Sequence, residues 1–176
     1  MVFGSPWNPV RTAFPLTGRF CGVNVVIAAG SPWSKRTEGF ATRPLPGNVT
    51  VRKFTQYELR QLYADSRFMI MPLENVKFQA GVTAILEGMA MGKAVICSRV
   101  PGQADVVVEG DNGRYVPPGD PGSLRTEICR LLSDPEESAR LGANGRKLIE
   151  CEMNLDLYAI RLAGYLNDAV NTEKRH

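Results

Sequence analysis

Histidine is almost missing from this chain, and its scarcity removes several kinds of catalytic site. The only histidine among the 176 residues is His176, at the last position. A Ser-His-Asp triad, a Cys-His pair or a histidine metal cluster therefore cannot be built in the body of the chain. Any general base must be Asp, Glu, Lys, Tyr or Cys.

Paired cysteines and long apolar runs are also lacking. The four cysteines are widely spaced, and no Cys-x-x-Cys pair occurs; they are Cys21, Cys97, Cys129 and Cys151. This pattern argues against zinc and fits a reducing compartment. The apolar runs are far too short to span a bilayer, and no basic start precedes an apolar signal-like stretch. We therefore expect a cytoplasmic protein with no bound metal and with Cys97 as a core thiol.

The net charge of +3 conceals an uneven distribution. Residues 1–60 contain eight Lys or Arg and two acids, a net charge of +6, whereas the remainder carries −3. A basic N-terminal part can face phosphates or an anionic membrane surface, so peripheral membrane contact stays open. A solvated basic face is an equal alternative. No basic–aromatic motif or helix-turn-helix pattern is present, so we expect no nucleic-acid partner.

Apolar runs that alternate with helical patterns determine the expected fold class. Strands are predicted at 23–29, 49–51, 68–71 and 94–97, with a short one at 115–116. Strands apolar on both faces, alternating with helices, indicate an α/β fold, a Rossmann-like parallel sheet flanked by helices on both faces. The expected organisation is an irregular segment at 1–20, one domain at 21–170 and a tail at 171–176.

Capping signals predict the helices. Asp120-Pro121 and Asp134-Pro135 each place a capping residue before a proline, and Glu137 occupies a capping-box position. Further helices are expected at 57–63, 104–108 and about 155–170, and a long loop at 31–47. Gly92 stands where a helix is expected to end.

The most informative segment runs from Phe78 to Ile96. It predicts a loop, a helix whose start carries Gly81, one acid, a glycine stop and a buried strand. Glu87 follows Gln79 by eight residues, so both side chains could reach one ligand, and a helix N-terminus suits a phosphate. This loop follows a predicted strand, where open parallel sheets bind ligands. The alternative is an ordinary strand–helix–strand crossover.

From about Asn48 to Tyr165 the chain resembles the C-terminal, donor-binding half of GT-B glycosyltransferases of the retaining family-4 group. Order and spacing agree over roughly two thirds of the chain. The matching motifs are Leu62-Tyr63-Ala64-Asp65, Met71-Pro72, Leu86-Glu87-Gly88-Met89-Ala90-Met91-Gly92-Lys93-Ala94-Val95-Ile96, Pro101-Gly102-Gln103-Ala104-Asp105-Val106-Val107, Glu109-Gly110-Asp111-Asn112-Gly113 and Val116-Pro117-Pro118-Gly119-Asp120-Pro121.

The resemblance implies a role for each matching position. Glu87 would bind the nucleotide ribose hydroxyls, and Gln79 would contact the donor sugar ring. The amides of Gly81, Val82 and Thr83 would face the diphosphate, and the segment Arg52-Lys53-Phe54 would lie beside the base. The implied chemistry is transfer of a sugar from a UDP- or GDP-type donor with retention. Helix dipole and cations, rather than an obligatory metal, would stabilise the leaving group.

The chain also departs from the family pattern. Gln79 replaces a carboxylate, so it offers hydrogen bonds but no charge. The phosphate-gripping Arg and Lys have no clean counterpart, although Arg11, Arg19, Lys35 and Arg36 are candidates. The acceptor-binding half is lacking, so we expect it in cis or as a separate partner. The alternatives are a non-catalytic Rossmann-like binding or assembly module and, less attractive without an internal histidine, half of a GT-B sugar epimerase.

Overall fold

The computed structural model describes residues 2–3, 23–28, 47–73, 81–101 and 106–173. Within these ranges the strands are β1 Val2–Phe3, β2 Val25–Ala28, β3 Val49–Arg52, β4 Phe68–Met71, β5 Ala94–Ser98 and β6 Gly113–Val116. The helices there are α1 Gln56–Asp65, α2 Val82–Ala90, α3 Pro121–Ser133, α4 Pro135–Cys151 and α5 Leu155–Glu173.

The strands form one parallel sheet in the order β3-β2-β1-β4-β5-β6. Strand order reverses between β1 and β4, because the chain proceeds outward to β3 on one side and to β6 on the other. This is the doubly wound arrangement, whose ligand crevice lies outside the carboxyl ends at the reversal. The predicted α/β class with a parallel sheet is confirmed.

Side chains that alternate along β4 and β5 show that the sheet is covered on both faces. Phe68 and Ile70 pack in one buried cluster with α3, whereas Met69 and Met71 pack in another with α1 and α2. Successive side chains of a strand point to opposite faces. Because all four residues of β4 are buried, helices must cover both faces, as the sequence predicts.

Helix α4 closes the layer by direct backbone contact with the turn that joins α2 to β5. A Cβ atom added at Gly142 would lie 2.1 Å from the carbonyl oxygen of Gly92. Gly92 itself follows the end of α2 with a positive φ of 69°, so the predicted helix stop is confirmed. The absence of a side chain at Gly142 therefore fixes how closely α4 approaches the end of α2.

Three local expectations need correction. The sequence predicts an irregular segment at 1–20, but Val2–Phe3 forms the central strand β1, paired with Ile27 and Ile70. The described part of the expected helix at 104–108, residues 106–108, is not helical. Helix α5 continues past the expected end to Glu173. The limits of the domain stay a prediction, and the expected loop at 31–47 falls almost wholly outside the described residues.

The capping signals are confirmed, with one change. Asp120 accepts hydrogen bonds from the N–H groups of Gly122 and Ser123, and Asp134 accepts from the N–H of Glu137. The Glu137 carboxylate does not complete the predicted capping box. It instead pairs with the guanidinium groups of Arg114 and Arg130, because an ion pair satisfies the carboxylate better than one backbone N–H.

Within the described ranges, no helix has the length and apolar character to cross a membrane. The three cysteines described there are free thiols. Cys97 is fully buried on β5, as expected, and burial raises the pKa of its thiol to about 12. It is therefore an inert packing group and not a nucleophile.

Candidate functional site

The candidate site lies where the sequence analysis expects it, at the carboxyl edge of the sheet beside the strand reversal. Strand β4 ends at Met71, and α2 begins at Val82. The described ends of this connection, Leu73 and Gly81, therefore lie at the mouth of the crevice. Gln79 belongs to this connection but lies outside the described residues.

A buried hydrogen bond anchors the start of this connection. Ser98, the last residue of β5, accepts a hydrogen bond from the N–H of Leu73 at 2.9 Å, and both residues are buried. The contact ties the chain leaving β4 to the neighbouring strand. Sequence reasoning missed this serine, because only the register between β4 and β5 brings it beside Leu73.

The N-terminus of α2 presents backbone donors. Gly81 is its capping residue, with φ of 72° in the left-handed region, and it supplies no side-chain cap. The first N–H groups of a helix have no partner within the helix, and those of Gly81, Val82 and Thr83 belong to this turn. Their donors and the positive end of the helix dipole suit an anion.

Glycine at position 81 meets two local demands. A side chain there would be strained by the positive φ. An added Cβ would also lie 2.8 Å from the Sδ atom of Met71 at the end of β4. The glycine therefore lets the helix start pack directly on the strand end.

Glu87 is solvent-exposed on α2, the helix that begins after the Gly81 cap. Its Oε2 atom accepts a hydrogen bond of 2.9 Å from the hydroxyl of Tyr63. That hydroxyl also lies 3.2 Å from the carbonyl oxygen of Ala84. Helical side chains lean toward the N-terminus of their helix, and this general tendency favours the side of the Gly81 cap for the Glu87 carboxylate. Glu87 also shares an exposed face with Thr83, one turn earlier.

Tyr63 is the buried polar group that contacts the Glu87 carboxylate. Its side chain is only 2% exposed and packs in the cluster that joins α1 to α2. Burial first, and the Glu87 carboxylate second, raise the pKa of the Tyr63 hydroxyl far above its ordinary value. The hydroxyl therefore stays protonated and acts as a donor to Glu87. The Oε1 atom of Glu87 has no hydrogen-bond partner among the described residues.

The predicted base-side segment Arg52-Lys53-Phe54 lies at the carboxyl end of β3, on the same edge of the sheet. The Arg52 guanidinium lies 4.1 Å from the centre of the Phe54 ring and 3.0 Å from a carboxylate oxygen of Glu58. Glu58 in turn completes a capping box with Thr55 at the start of α1, a Thr-x-x-Glu signal that the sequence analysis did not use. Three strand spacings, about 14 Å, separate β3 from β4.

A phosphate group at the start of α2 would need nearby cations, and the sequence offers several candidates. Arg11, Arg19, Lys35 and Arg36 lie outside the described residues. Arg99 follows β5 at the correct edge, but its guanidinium stacks over Tyr115, 4.2 Å from the ring centre, and pairs with Glu109. These partners hold Arg99 toward β6 and away from α2. Within the described ranges, no cluster of three His, Cys, Asp or Glu side chains has a metal-binding arrangement.

A pocket of about 300 Å³ lies at the opposite edge of the sheet. Arg67 and Lys93, which precede β4 and β5, line it together with residues from the start of α4. The Lys93 ammonium there donates to the carbonyl oxygen of Ala64, near the end of α1. Because doubly wound sheets bind ligands at the carboxyl ends of their strands, this amino-edge pocket is not the candidate site.

Comparison with known sequences links the chain to one family. Residues 11–134 match the family described as "Glycosyl transferases group 1". The chain is similar to a D-inositol 3-phosphate glycosyltransferase of Streptomyces bingchenggensis, with 33% identity over 118 residues. That match covers 63% of this chain and 25% of the relative, so the chain spans about a quarter of the relative's length.

Solved structures share the fold at lower identity. A sucrose-phosphate synthase of Thermosynechococcus elongatus superposes with a TM-score of 0.78 at 22% identity, over 97% of this chain and 45% of that one. The C-terminal domain of a glycosyl transferase group 1 protein from Francisella tularensis gives 0.54 at 20% identity, over 61% and 55%. The Anabaena protein HepE in complex with UDP and glucose gives 0.61 at 21% identity, over 69% and 32%.

Proposed function

The chain belongs to the glycosyl transferases group 1 family, and on that premise we propose that it is the donor-binding half of a retaining glycosyltransferase. It holds a nucleoside diphosphate sugar at the carboxyl edge of its sheet, and the sugar passes to an acceptor with retention of configuration. The observation that carries this proposal is an exposed Glu87 carboxylate on the same helix as a start that carries no side-chain cap.

In this proposal the start of α2 binds the diphosphate. When the bond to the sugar breaks, negative charge grows on the departing phosphate oxygens. The N–H groups of Gly81, Val82 and Thr83 and the helix dipole oppose that charge without having to reorganise. Gln79 donates or accepts a hydrogen bond at the sugar ring, and it lends no charge to a cationic sugar intermediate.

Glu87 binds the ribose in the same proposal. Two adjacent hydroxyl groups can both donate to one carboxylate, and the Oε1 atom of Glu87 is available for this purpose. Hydrogen bonds to a charged acceptor are the stronger kind. The base lies toward β3, where Arg52 and Phe54 form a stacked pair. UDP in the Anabaena structure supports a uridine diphosphate donor, and a guanosine diphosphate donor is the alternative within the same proposal.

The proposal also includes a second, acceptor-binding half, in the same polypeptide or as a separate chain. Helix α5 supports it by exposing large apolar side chains, namely Leu155, Tyr158, Ile160, Leu162, Tyr165, Leu166 and Val170. Four of them recur every fourth residue and share one face of the helix. Such a continuous apolar face is typical of a surface that another body covers. We place the complete enzyme in the cytoplasm, with a membrane surface as a site of peripheral contact.

A second candidate function is a binding or assembly module without catalysis, and Gln79 favours it. The amide at this position has no charge with which to stabilise a cationic sugar. The two candidates differ in one result. A glycosyltransferase gives sugar transfer when the chain is combined with an acceptor-binding half, whereas an assembly module binds nucleotide or partner and gives none.

Titration calorimetry of the chain with UDP and GDP tests the proposal. We expect one of them to bind, and Glu87→Ala to weaken binding by about 1–3 kcal/mol through a lost charge-assisted hydrogen bond, roughly five- to 150-fold. Glu136→Ala is the matched control, because Glu136 is exposed at the start of α4 beside the opposite edge of the sheet. No binding of either nucleotide at millimolar concentration by folded protein would refute the proposal.

A further inference from the structure

We infer that Tyr63 is a positioning residue of the donor site, whose hydroxyl holds the Glu87 carboxylate in the orientation that receives the ribose. The inference rests on the proposed function. The hydrogen bond between the two side chains joins two helices, because Tyr63 belongs to α1 and Glu87 to α2. The contact of 2.9 Å links residues 24 positions apart in the sequence.

The Tyr63 ring is fixed before any ligand arrives. Its side chain is buried with Met69, Ile85 and Met89 in the core cluster between the sheet and the two helices. The ring edge passes close to the backbone of α2, because a Cβ atom added at Gly88 would lie 3.6 Å from the Cε1 atom of Tyr63. A packed ring has little rotamer freedom. Its hydroxyl is therefore a rigid reference point beneath the exposed carboxylate.

The proton of the hydroxyl goes to Glu87. A tyrosine hydroxyl has one proton to donate, and among the described residues the acceptors recorded for it are the Glu87 carboxylate and the Ala84 carbonyl oxygen. The carbonyl oxygen of Ala84 lies farther away, at 3.2 Å, and as a helical carbonyl it already accepts from the N–H four residues later. The carboxylate is closer and charged, so it is the preferred acceptor. Oε2 is thereby anchored, while Oε1 has no recorded partner among the described residues.

The hydrogen bond from Tyr63 matters for binding because the Glu87 side chain is exposed. A free glutamate side chain samples several rotamers, and ligand binding must remove that freedom. The hydrogen bond from Tyr63 removes part of it in advance, which is the general benefit of preorganisation. The change Tyr63→Phe removes the hydroxyl together with its proton, so it does not leave an unsatisfied donor in the core. Tyr63→Phe should therefore preserve the fold while releasing the carboxylate.

The test compares UDP with 2′,3′-dideoxy-UDP, which lacks both ribose hydroxyls, or the guanosine pair if the wild-type chain binds GDP instead. We expect Tyr63→Phe to lower the affinity for the full diphosphate about three- to tenfold. Its affinity for the dideoxy analogue should stay within about twofold of the wild-type value. In Glu87→Ala the added Tyr63→Phe change should have no further effect, since the two residues act as one unit. Tyr115→Phe is the control, because it removes a hydroxyl that donates to the Val107 carbonyl oxygen away from α2.

Other results separate the inference from the proposed function. If wild type binds the nucleotide and Glu87→Ala weakens it, but Tyr63→Phe binds as wild type does, the positioning role is wrong and the donor site stands. An equal loss for the full and dideoxy ligands, or an unfolded Tyr63→Phe protein by circular dichroism, would also overturn the positioning role. If the wild-type chain binds neither nucleotide, the proposed function itself fails.

Discussion

The backbone contact between α4 and the turn after α2 predicts that replacing Gly142 by alanine lowers stability, the opposite of the usual effect of this change inside a helix. Glycine in a helix interior is ordinarily replaced by alanine with a gain in stability of about 1 kcal/mol. Gly142 lies inside α4, so helix propensity alone predicts a more stable Gly142→Ala protein. The structure predicts the opposite, because the new Cβ atom would meet the Gly92 carbonyl oxygen at 2.1 Å.

The magnitude follows from that distance. Real Cβ atoms essentially never approach a neighbour closer than 3.0 Å, so α4 must withdraw by about 0.9 Å from the turn. A backbone atom cannot swing aside as a flexible side chain does. Overpacking costs about 1–3 kcal/mol, and contact with a rigid backbone atom puts this case at about 2–3 kcal/mol, above the gain in helix propensity. We expect Gly142→Ala to destabilise the chain by about 1–2 kcal/mol after both effects are counted, and the melting temperature to fall by about 2–8 °C.

Urea unfolding followed by circular dichroism at 222 nm measures the difference, with Gly164→Ala as the matched control. Gly164 lies in α5, and a Cβ atom added there has no neighbour within 4 Å. That variant should gain up to about 1 kcal/mol from helix propensity alone. A Gly142→Ala protein as stable as wild type, or more stable, would refute the close approach of α4 to the end of α2.

Two further predictions concern the helix start and an ion pair. Gly81→Ala should lower the free energy of unfolding by about 1–3 kcal/mol and weaken UDP binding. Gly119 is the control, because it has a similar positive φ of 73° but open space around an added Cβ atom. If both glycine-to-alanine changes lowered the free energy of unfolding equally, the contact with Met71 would have no role. Glu137→Gln should cost about 1 kcal/mol at pH 7: burial opposes ionisation, but hydrogen bonds from two arginines prevail and hold the pKa of Glu137 below 4.5. The stability of wild type relative to the variant is then full above pH 4.5 and shrinks as pH falls through the lowered native pKa, and a difference that persists unchanged in urea titrations down to pH 3 would contradict the ion pair.

Local periodicity was enough to predict most of the sheet. Each residue of β4 is buried, and the apolar run at 68–71 has no polar interruption; the same is true of the run at 94–97 in β5, before Ser98. Val2–Phe3 could not be predicted in this way. Two residues carry no period, and the partners that make them a strand, Ile27 and Ile70, lie far along the chain.

The candidate site, like the sheet, has a part that the sequence predicts and a part that depends on packing between distant residues. The spacing of Gln79, Gly81 and Glu87 suggested a ligand cradle, and the structure places the two described members on α2, at its cap and two turns into it. Their binding roles stay a prediction. The contact between Tyr63 and Glu87 could not be read from spacing, because it depends on how α1 packs against α2. Glu137 was misassigned for a related reason, since its arginine partner at position 114 comes from β6.

A crystal structure of the chain with UDP, or with GDP if that is the nucleotide bound, is the most direct test of the account. The account predicts the diphosphate within hydrogen-bond distance of the N–H groups of residues 81–83, and a ribose hydroxyl about 2.5–3.0 Å from a Glu87 carboxylate oxygen. Nucleotide bound instead at the amino edge of the sheet, beside Arg67 and Lys93, would contradict it.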